Sequence, residues 1–220
     1  MKVLSIAQSF ALLAVTAAPV VASAAATEWK IDSSHSSAQF SIRHLMVSNV
    51  RGEFGNLSGT LSIDDADLTK SSITAEVDAS TINTREAKRD EHLKSPDFFD
   101  VAKFPKLTFK STKVEKAGAQ LKITGDMTIH GVTKPVVLTA DAPTAGIKDP
   151  WGNVKRGFSA TTKLNRKDFG LSWNKALEAG GVVVGEEVSI TIDIEANQAK
   201  PAAPAPPAAN FRIQICKVHH

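Results

Sequence analysis

The 220-residue sequence contains a single cysteine, Cys216. One cysteine cannot close an intramolecular disulfide, and the chain has neither a CxxC motif nor the paired Cys and His spacing of a zinc site. The sequence also lacks an HExxH helix motif and a GxSxG nucleophile elbow. The fold must therefore be stabilised by its apolar core, and no motif points to metal-dependent or serine hydrolysis.

An excess of charge of one sign is also absent from the body of the chain. The formal net charge is +3, yet residues 27–197 hold 22 basic and 23 acidic side chains. The remaining basic residues lie near the two ends: Lys2, Lys200, Arg212 and Lys217. This balance gives no electrostatic support for nucleic-acid binding.

Residues 1–24 have the pattern of a secretory signal peptide. A positive start at Lys2 is followed by an apolar stretch that reaches Val21, and Ala22-Ser23-Ala24 supplies the small-x-small pattern that a signal peptidase recognises. We predict cleavage after Ala24 and export to the periplasm. An uncleaved membrane anchor is the alternative, but this stretch is only weakly apolar and is interrupted by Pro19.

Two further segments complete the predicted organisation. Residues 25–197 form one predicted domain, a length sufficient for a sizeable core. Residues 198–220 are predicted to be a disordered tail, because residues 199–209 are rich in Ala and Pro.

Alternation of apolar and polar residues with a period of two dominates the body. One apolar face is formed by Val188, Ile190, Ile192 and Ile194, and another by Leu121, Ile123, Met127 and Ile129. Such strands are typical of half-buried antiparallel sheets and favour a barrel or sandwich over an α/β fold. One charged segment without Gly or Pro, residues 84–94, predicts a short helix that begins at Thr84.

Three histidines are candidates for a zinc site with an open position for water: His35, His44 and His92. No pair of them has the i, i+4 spacing of helical ligands, so structural roles are favoured.

Arg89 begins a charged block that could hold a phosphate, although the neighbouring carboxylates of Asp90 and Glu91 partly neutralise it. The many aromatic residues fit either a solid barrel or a hollow one, and the pattern alone leaves both open.

A series of landmarks in one order resembles the YceI-like family of bacterial periplasmic polyisoprenoid-binding proteins over residues 27–195. The landmarks are Trp29-Lys30-Ile31-Asp32, Phe40-Ser41-Ile42-Arg43-His44, Val50-Arg51-Gly52-Glu53-Phe54, Arg89-Asp90-Glu91-His92-Leu93-Lys94-Ser95, Asp97-Phe98-Phe99-Asp100, Gly131-Val132-Thr133-Lys134, Asn165-Arg166-Lys167-Asp168-Phe169-Gly170 and Val184-Gly185-Glu186-Glu187-Val188. Two features depart from the family pattern: Phe104 stands where Tyr is frequent, and the tail after Asn197 is not a family feature.

The resemblance implies an all-β fold, namely an extended antiparallel β-barrel of lipocalin-like shape with one short helix near a barrel mouth. It also implies a tunnel for an isoprenoid lipid of polyprenyl phosphate or quinone type, bound without catalysis, cofactor or metal. A homodimer is suggested by the family, and a lipid carrier would contact a membrane transiently. Two alternatives stay open: a metal-dependent hydrolase that uses rim histidines, and a ligand-free barrel for stress response or partner binding.

Strand parity and the resemblance together predict the ligand-binding residues. The predicted lining comprises Phe40, Ile42, Phe54, Val77, Phe109, Ile123, Met127, Phe158, Leu164 and Ile190. The candidates for contact with a polar head group are Arg43, His44, Arg89 and His92. A one-residue bulge in a strand would invert part of the lining set.

Overall fold

The computed structural model describes residues 26–178 and 180–200. The predicted signal peptide, and the predicted tail beyond residue 200 with Cys216, lie outside the described residues. The strands are β1 Thr27–Ile31, β2 Ser37–His44, β3 Ser48–Phe54, β4 Ser58–Ile63, β5 Ser72–Asp78, β6 Lys106–Ala117, β7 Gln120–Ile129, β8 Val132–Asp141, β9 Ile147–Lys148, β10 Val154–Asn165 and β11 Val184–Gln198. The helix α1 spans Ala87–Lys94, and short 3₁₀ turns occur at Leu68–Lys70, Ala79–Thr81 and Arg166–Phe169.

Eight antiparallel strands close into a barrel in the order β11-β1-β4-β5-β6-β7-β8-β10, and β10 pairs again with β11. The long strand β11 pairs with β1 near its carboxyl end and with β2 along the rest of the same edge. The β2–β3 hairpin thus continues the wall where β1 stops. The predicted all-β antiparallel barrel with one short helix is confirmed.

Burial along the strands follows the predicted alternation. In β7 the buried positions are Leu121, Ile123, Gly125, Met127 and Ile129, and every intervening side chain is at least partly exposed. The inward face of β11 carries Ile190, Ile192, Ile194 and Ala196, which pair with the inward face of β10. One face of each strand therefore forms the barrel interior, which holds the apolar core.

The two ends of the barrel differ in their connections. The end that carries α1, here called the helix end, also holds the β2–β3 and β7–β8 turns and residues 166–183. The opposite end, here called the far end, holds the β6–β7 turn, residues 64–71 and residues 142–153. Within residues 26–178 and 180–200, the structure contains no helix with the length and apolar character needed to cross a membrane.

The helix begins three residues later than the sequence predicts. Glu86 is the N-cap, and its carboxylate accepts hydrogen bonds from the backbone amides of Lys88 and Arg89. Arg85 has φ +65°, which places it in the left-handed region and prevents a continuous helix from Thr84. Thr84 instead donates its backbone amide to Asp90 Oδ1 at 2.8 Å, and so ties the preceding segment to the helix.

Candidate functional site: an apolar cavity inside the barrel

A cavity of about 110 Å³ lies inside the barrel, towards the helix end. About 10–15 Å³ of such space admits one water molecule, so the cavity can hold several carbon atoms of an apolar chain. Its lining comes from β2, β3, β5, β6, β7, β8, β10, β11 and the segment before β4. The cavity is therefore a property of the closed barrel and not of any single loop.

Seven of the ten predicted lining residues border this cavity: Phe40, Phe54, Val77, Phe109, Met127, Phe158 and Ile190. Ile123 borders a second, smaller cavity nearer the far end. Ile42 and Leu164 border neither of these two cavities. Both lie close to the helix end, where β2 and β10 have passed beyond the cavity. That any of these side chains contacts a ligand stays a prediction.

Several lining residues were not among the predicted set. They are Ala38, Gln39, Leu57, Ile73, Ala75, Glu76, Leu107, Thr108, Ile129, Leu138, Ala160, Ile192 and Ile194. Most of the apolar ones follow the same alternation as the predicted residues, so the strand pattern could have identified them. Leu57 lies between β3 and β4 and carries no periodic signal.

Most of the residues that border the cavity are apolar, and the exceptions are Gln39, Glu76 and Thr108. Among residues 26–178 and 180–200, Glu76 is the only ionisable residue that borders it, and its carboxylate accepts a hydrogen bond from Lys106 Nζ at 2.6 Å on the exposed outer surface. Among the described residues, no charged group therefore faces this cavity. Such an interior favours an apolar ligand.

The second cavity, of about 20 Å³, extends the interior towards the far end. Leu61, Ile63 and Leu121 contribute to its lining. Ile73 and Phe158 line both cavities. These two side chains therefore form the partition between the two spaces.

The four predicted head-group residues lie at the helix end, and three of them are engaged by other groups. Arg43 Nη2 donates to the Met46 carbonyl at 3.0 Å. Arg89 donates to the hydroxyl and the carbonyl of Thr84. His92 Nε2 lies 2.8 Å from Asp97 Oδ2. His44 ends β2 and is half-buried.

The histidines of the hydrolase alternative do not converge. Strand β2 separates His35 from His44 by roughly 25 Å at about 3.4 Å per residue. Among the described residues, one trio of metal-ligating side chains is close enough to share an ion: Asp32, His35 and Glu195. Lys155 Nζ already contacts both carboxylates of this trio, at 3.0 and 2.5 Å. An ammonium group therefore neutralises the place where a metal cation would bind.

This cluster pins the turn after β1 to the outer face of β10 and β11. Hydrogen bonds from Ser34, His35 and Lys155 hold the pKa of Asp32 far below its usual range. The Glu195 and Asp32 carboxylates in turn raise the pKa of Lys155 above its usual value. The opposite directions of the two shifts indicate an ion pair with a structural role.

The YceI-like domain model matches residues 29–196 of the chain. Protein YceI of Salmonella newport is 38% identical over 180 residues, which cover 81% of this chain and 91% of that protein. A UPF0312 protein of Vibrio cholerae is 42% identical over 163 residues, which cover 73% of this chain and 85% of that protein.

Solved structures share the barrel. The Campylobacter jejuni YCEI protein superposes with a TM-score of 0.58 at 32% identity, over 72% of this chain and 90% of that one. A polyisoprenoid binding domain from Saccharophagus degradans gives a TM-score of 0.56 at 15% identity, over 79% and 99% of the two chains. At 15% identity, the similarity to the Saccharophagus domain shows a shared fold and nothing more.

Proposed function

The chain belongs to the YceI-like domain family, and from this premise we propose that it is a periplasmic carrier of an isoprenoid lipid. The lipid's apolar chain would lie inside the barrel and would be bound and released without any chemical change. The observation that carries the proposal is the continuous apolar wall of the interior cavity.

The energetics of burial support a carrier that uses few hydrogen bonds. Removing roughly 500 Å² of apolar surface from water contributes about 12 kcal/mol at about 25 cal/mol per Å². This gain is comparable with the cost of association, about 4–15 kcal/mol. A chain longer than the cavity would displace flexible lining side chains such as Met127, because an unbranched thioether adapts to new packing at low cost.

The class of ligand and the compartment rest on separate observations. The Saccharophagus domain, which shares the fold, is described as polyisoprenoid-binding. The predicted signal peptide supports export, and the part of the chain that the structure describes points no charged group into the cavity, which argues against a catalytic role for the interior. The metal-dependent hydrolase has no comparable support, since Lys155 already binds the carboxylates of Asp32 and Glu195.

Extraction of the protein purified from its native periplasm tests this function. The organic extract is analysed by mass spectrometry, and the ligand-free protein is then titrated with prenyl lipids. One isoprenoid species at about one molecule per barrel is the expected result. An extract without lipid, together with ligand-free protein that binds no prenyl lipid, would contradict the carrier function and favour the alternative of a ligand-free barrel for stress response or partner binding.

Two parts of the proposal concern partners. A homodimer would sediment at about twice the monomer mass in analytical ultracentrifugation, and a monomer at all concentrations would contradict the homodimer.

Transient membrane contact predicts that lipid-loaded protein transfers its ligand to vesicles at a rate that rises with vesicle concentration. A rate independent of vesicle concentration would show that release into water comes first.

A further inference from the structure

Two buried hydrogen-bond donors lack acceptors at the far end of the barrel interior. They are Trp29 Nε1 and Arg156 Nη1, and among residues 26–178 and 180–200 neither has a hydrogen-bond partner. Burying a polar group without a partner costs free energy, so native proteins rarely leave such groups unpaired. Two of them in one place indicate that an acceptor belongs there.

Trp29 faces the barrel interior. It lies opposite Leu61 across the β1–β4 pair, and Leu61 lies opposite Ile73 across the β4–β5 pair. Leu61 and Ile73 both line the smaller cavity. Since Trp29 is only 3% exposed, its indole N–H cannot be satisfied by bulk water.

Arg156 projects inward from β10. It pairs with Ala196, and the next inward residue on the strand, Phe158, pairs with Ile194. Its guanidinium carbon lies over the Trp29 ring, 5.3 Å from the ring centre, so the two side chains form a cation–π contact and the two unpaired donors are neighbours. The other nitrogens are fixed: Nε donates to the Thr144 carbonyl at 2.8 Å, and Nη2 lies 2.7 Å from Asp65 Oδ1.

This donor pair lies beside the smaller cavity, although neither Trp29 nor Arg156 borders either of the two cavities. Arg156 and Phe158 are two residues apart on one strand face, which separates them by roughly 7 Å. Phe158 with Ile73 forms the partition between the two cavities. A ligand chain that extends from the larger cavity past Phe158 and Ile73 enters the smaller cavity and there lies next to Leu61, the residue opposite Trp29.

The charge around the donors selects the kind of acceptor. Asp65 already neutralises Arg156, and Asp64 and Asp67 lie in the same far-end segment. A phosphate here would be repelled by these carboxylates, whereas a neutral carbonyl oxygen would accept from both donors without adding charge.

We propose that Trp29 Nε1 and Arg156 Nη1 bind a carbonyl oxygen of the lipid's head group at the far end. The proposal rests on the carrier function and adds the location and the chemistry of the head group. It places the head group at the opposite end of the barrel from Arg43, His44, Arg89 and His92. A quinone ring and an acyl ester both offer the required oxygen.

The test compares ligands that share one chain length and differ in the head: a prenyl quinone, a prenyl ester, a prenyl phosphate and the plain prenyl hydrocarbon. Each is titrated into the ligand-free protein and into the Trp29→Phe and Arg156→Met variants. Trp29→Phe keeps the ring and removes only the N–H, so it reports on the hydrogen bond even if Arg156→Met folds poorly. Trp173→Phe, at the helix end, is the matched control.

The wild-type protein should bind the quinone or the ester at least tenfold more tightly than the hydrocarbon. In each variant the ratio of carbonyl-ligand affinity to hydrocarbon affinity should fall about 3- to 10-fold, while the affinity for the hydrocarbon stays within about twofold of the wild-type value. The carbonyl ligand that binds more tightly, quinone or ester, identifies the chemical source of the carbonyl oxygen. Trp173→Phe should leave the preference unchanged.

Three results would overturn the proposal. Equal affinities for carbonyl and hydrocarbon ligands, or a preference that Trp29→Phe leaves intact, would mean that the donors bind only structural water. Tighter binding of the phosphate would contradict the neutral head group. Failure of every ligand to bind, the hydrocarbon included, would instead remove the carrier function itself, and so the two failures are distinguishable.

Discussion

Phe40 lies directly over Gly52 across the β2–β3 pair, so that a Cβ added to Gly52 would come within 2.5 Å of the Phe40 ring. Phe40 lines the larger cavity and packs on Phe54, with their ring centres 5.7 Å apart. The missing side chain at Gly52 therefore sets the position of one wall of the cavity.

Replacing Gly52 by Ala is expected to push the Phe40 ring into the cavity. The added Cβ would also come within 2.8 Å of the buried Thr84 Cγ2, so the free energy of unfolding should fall by about 1–3 kcal/mol. The affinity for an apolar probe should fall several-fold, because the cavity loses volume. Gly55→Ala is the control, since its added Cβ would meet nothing closer than Thr81 at 3.7 Å. Equal probe affinity in the two variants would contradict this role for Gly52.

Arg166 should be among the residues most important for stability. It is buried and donates to the carbonyls of Gly185, Leu171 and Val184, which fixes the start of β11 against the preceding segment. Arg166→Met should lower the free energy of unfolding by about 2–4 kcal/mol, because these carbonyls would lose a charged donor.

Urea denaturation of the Arg166→Met, Arg166→Lys and Lys167→Met variants measures this effect. A lysine cannot reproduce the fork of guanidinium donors, so Arg166→Lys should be nearly as destabilised as Arg166→Met. Lys167→Met removes only an exposed ion pair with Glu186 and should change stability by less than about 1 kcal/mol. Full stability of Arg166→Lys would show that charge alone matters at this position.

The pH dependence of stability should report on Asp32. Its pKa in the folded protein is held below the ordinary value of about 3.8 by hydrogen bonds from Ser34, His35 and Lys155. The ionised carboxylate therefore contributes stability that is fully present above about pH 4 and is lost as the pH falls towards the folded-state pKa. The free energy of unfolding should decline below pH 4.

The Asp32→Asn variant isolates that contribution. At pH 7 it should be less stable than the wild type by about 1.5–3 kcal/mol, and the difference should shrink below pH 4. Glu187→Gln, which removes an exposed pair with Lys163, is the control and should change little at either pH. A difference that stays constant from pH 7 to pH 2 would mean that the charge of Asp32 is not the cause.

The inward face of each strand could be predicted from the sequence, but position along the barrel axis could not. Alternation correctly distinguishes the buried from the exposed residues of β7. It cannot tell that Ile123 faces the smaller cavity, or that Ile42 and Leu164 lie beyond the larger one. These outcomes depend on strand stagger and on the short β8–β10 pairing at residues 139–140 and 160–161, which are set by tertiary packing.

The far-end donors and the start of α1 are further features that the sequence alone does not predict. Lys155 and Arg156 are adjacent basic residues; Arg156 shares the strand parity of Phe158, but the sequence does not indicate that an inward arginine would contact Trp29. The pairing of Arg156 with Ala196 places it on the inward face. Likewise, Thr84 fits an N-cap by residue type, but the left-handed backbone at Arg85 moves the cap to Glu86.

Filling the cavity tests the carrier function most directly. Ala160 is buried in the cavity wall, and the neighbouring Thr161 points outward on the same strand. A prenyl hydrocarbon is titrated into the wild type, into Ala160→Phe, whose new ring would fill the cavity, and into Thr161→Phe, whose new ring would leave the cavity open. If the lipid chain lies inside the barrel, Ala160→Phe should remain folded and lose at least tenfold in affinity, while Thr161→Phe should bind like the wild type. Unchanged binding by a folded Ala160→Phe protein would contradict it, because the lipid would then lie outside the barrel.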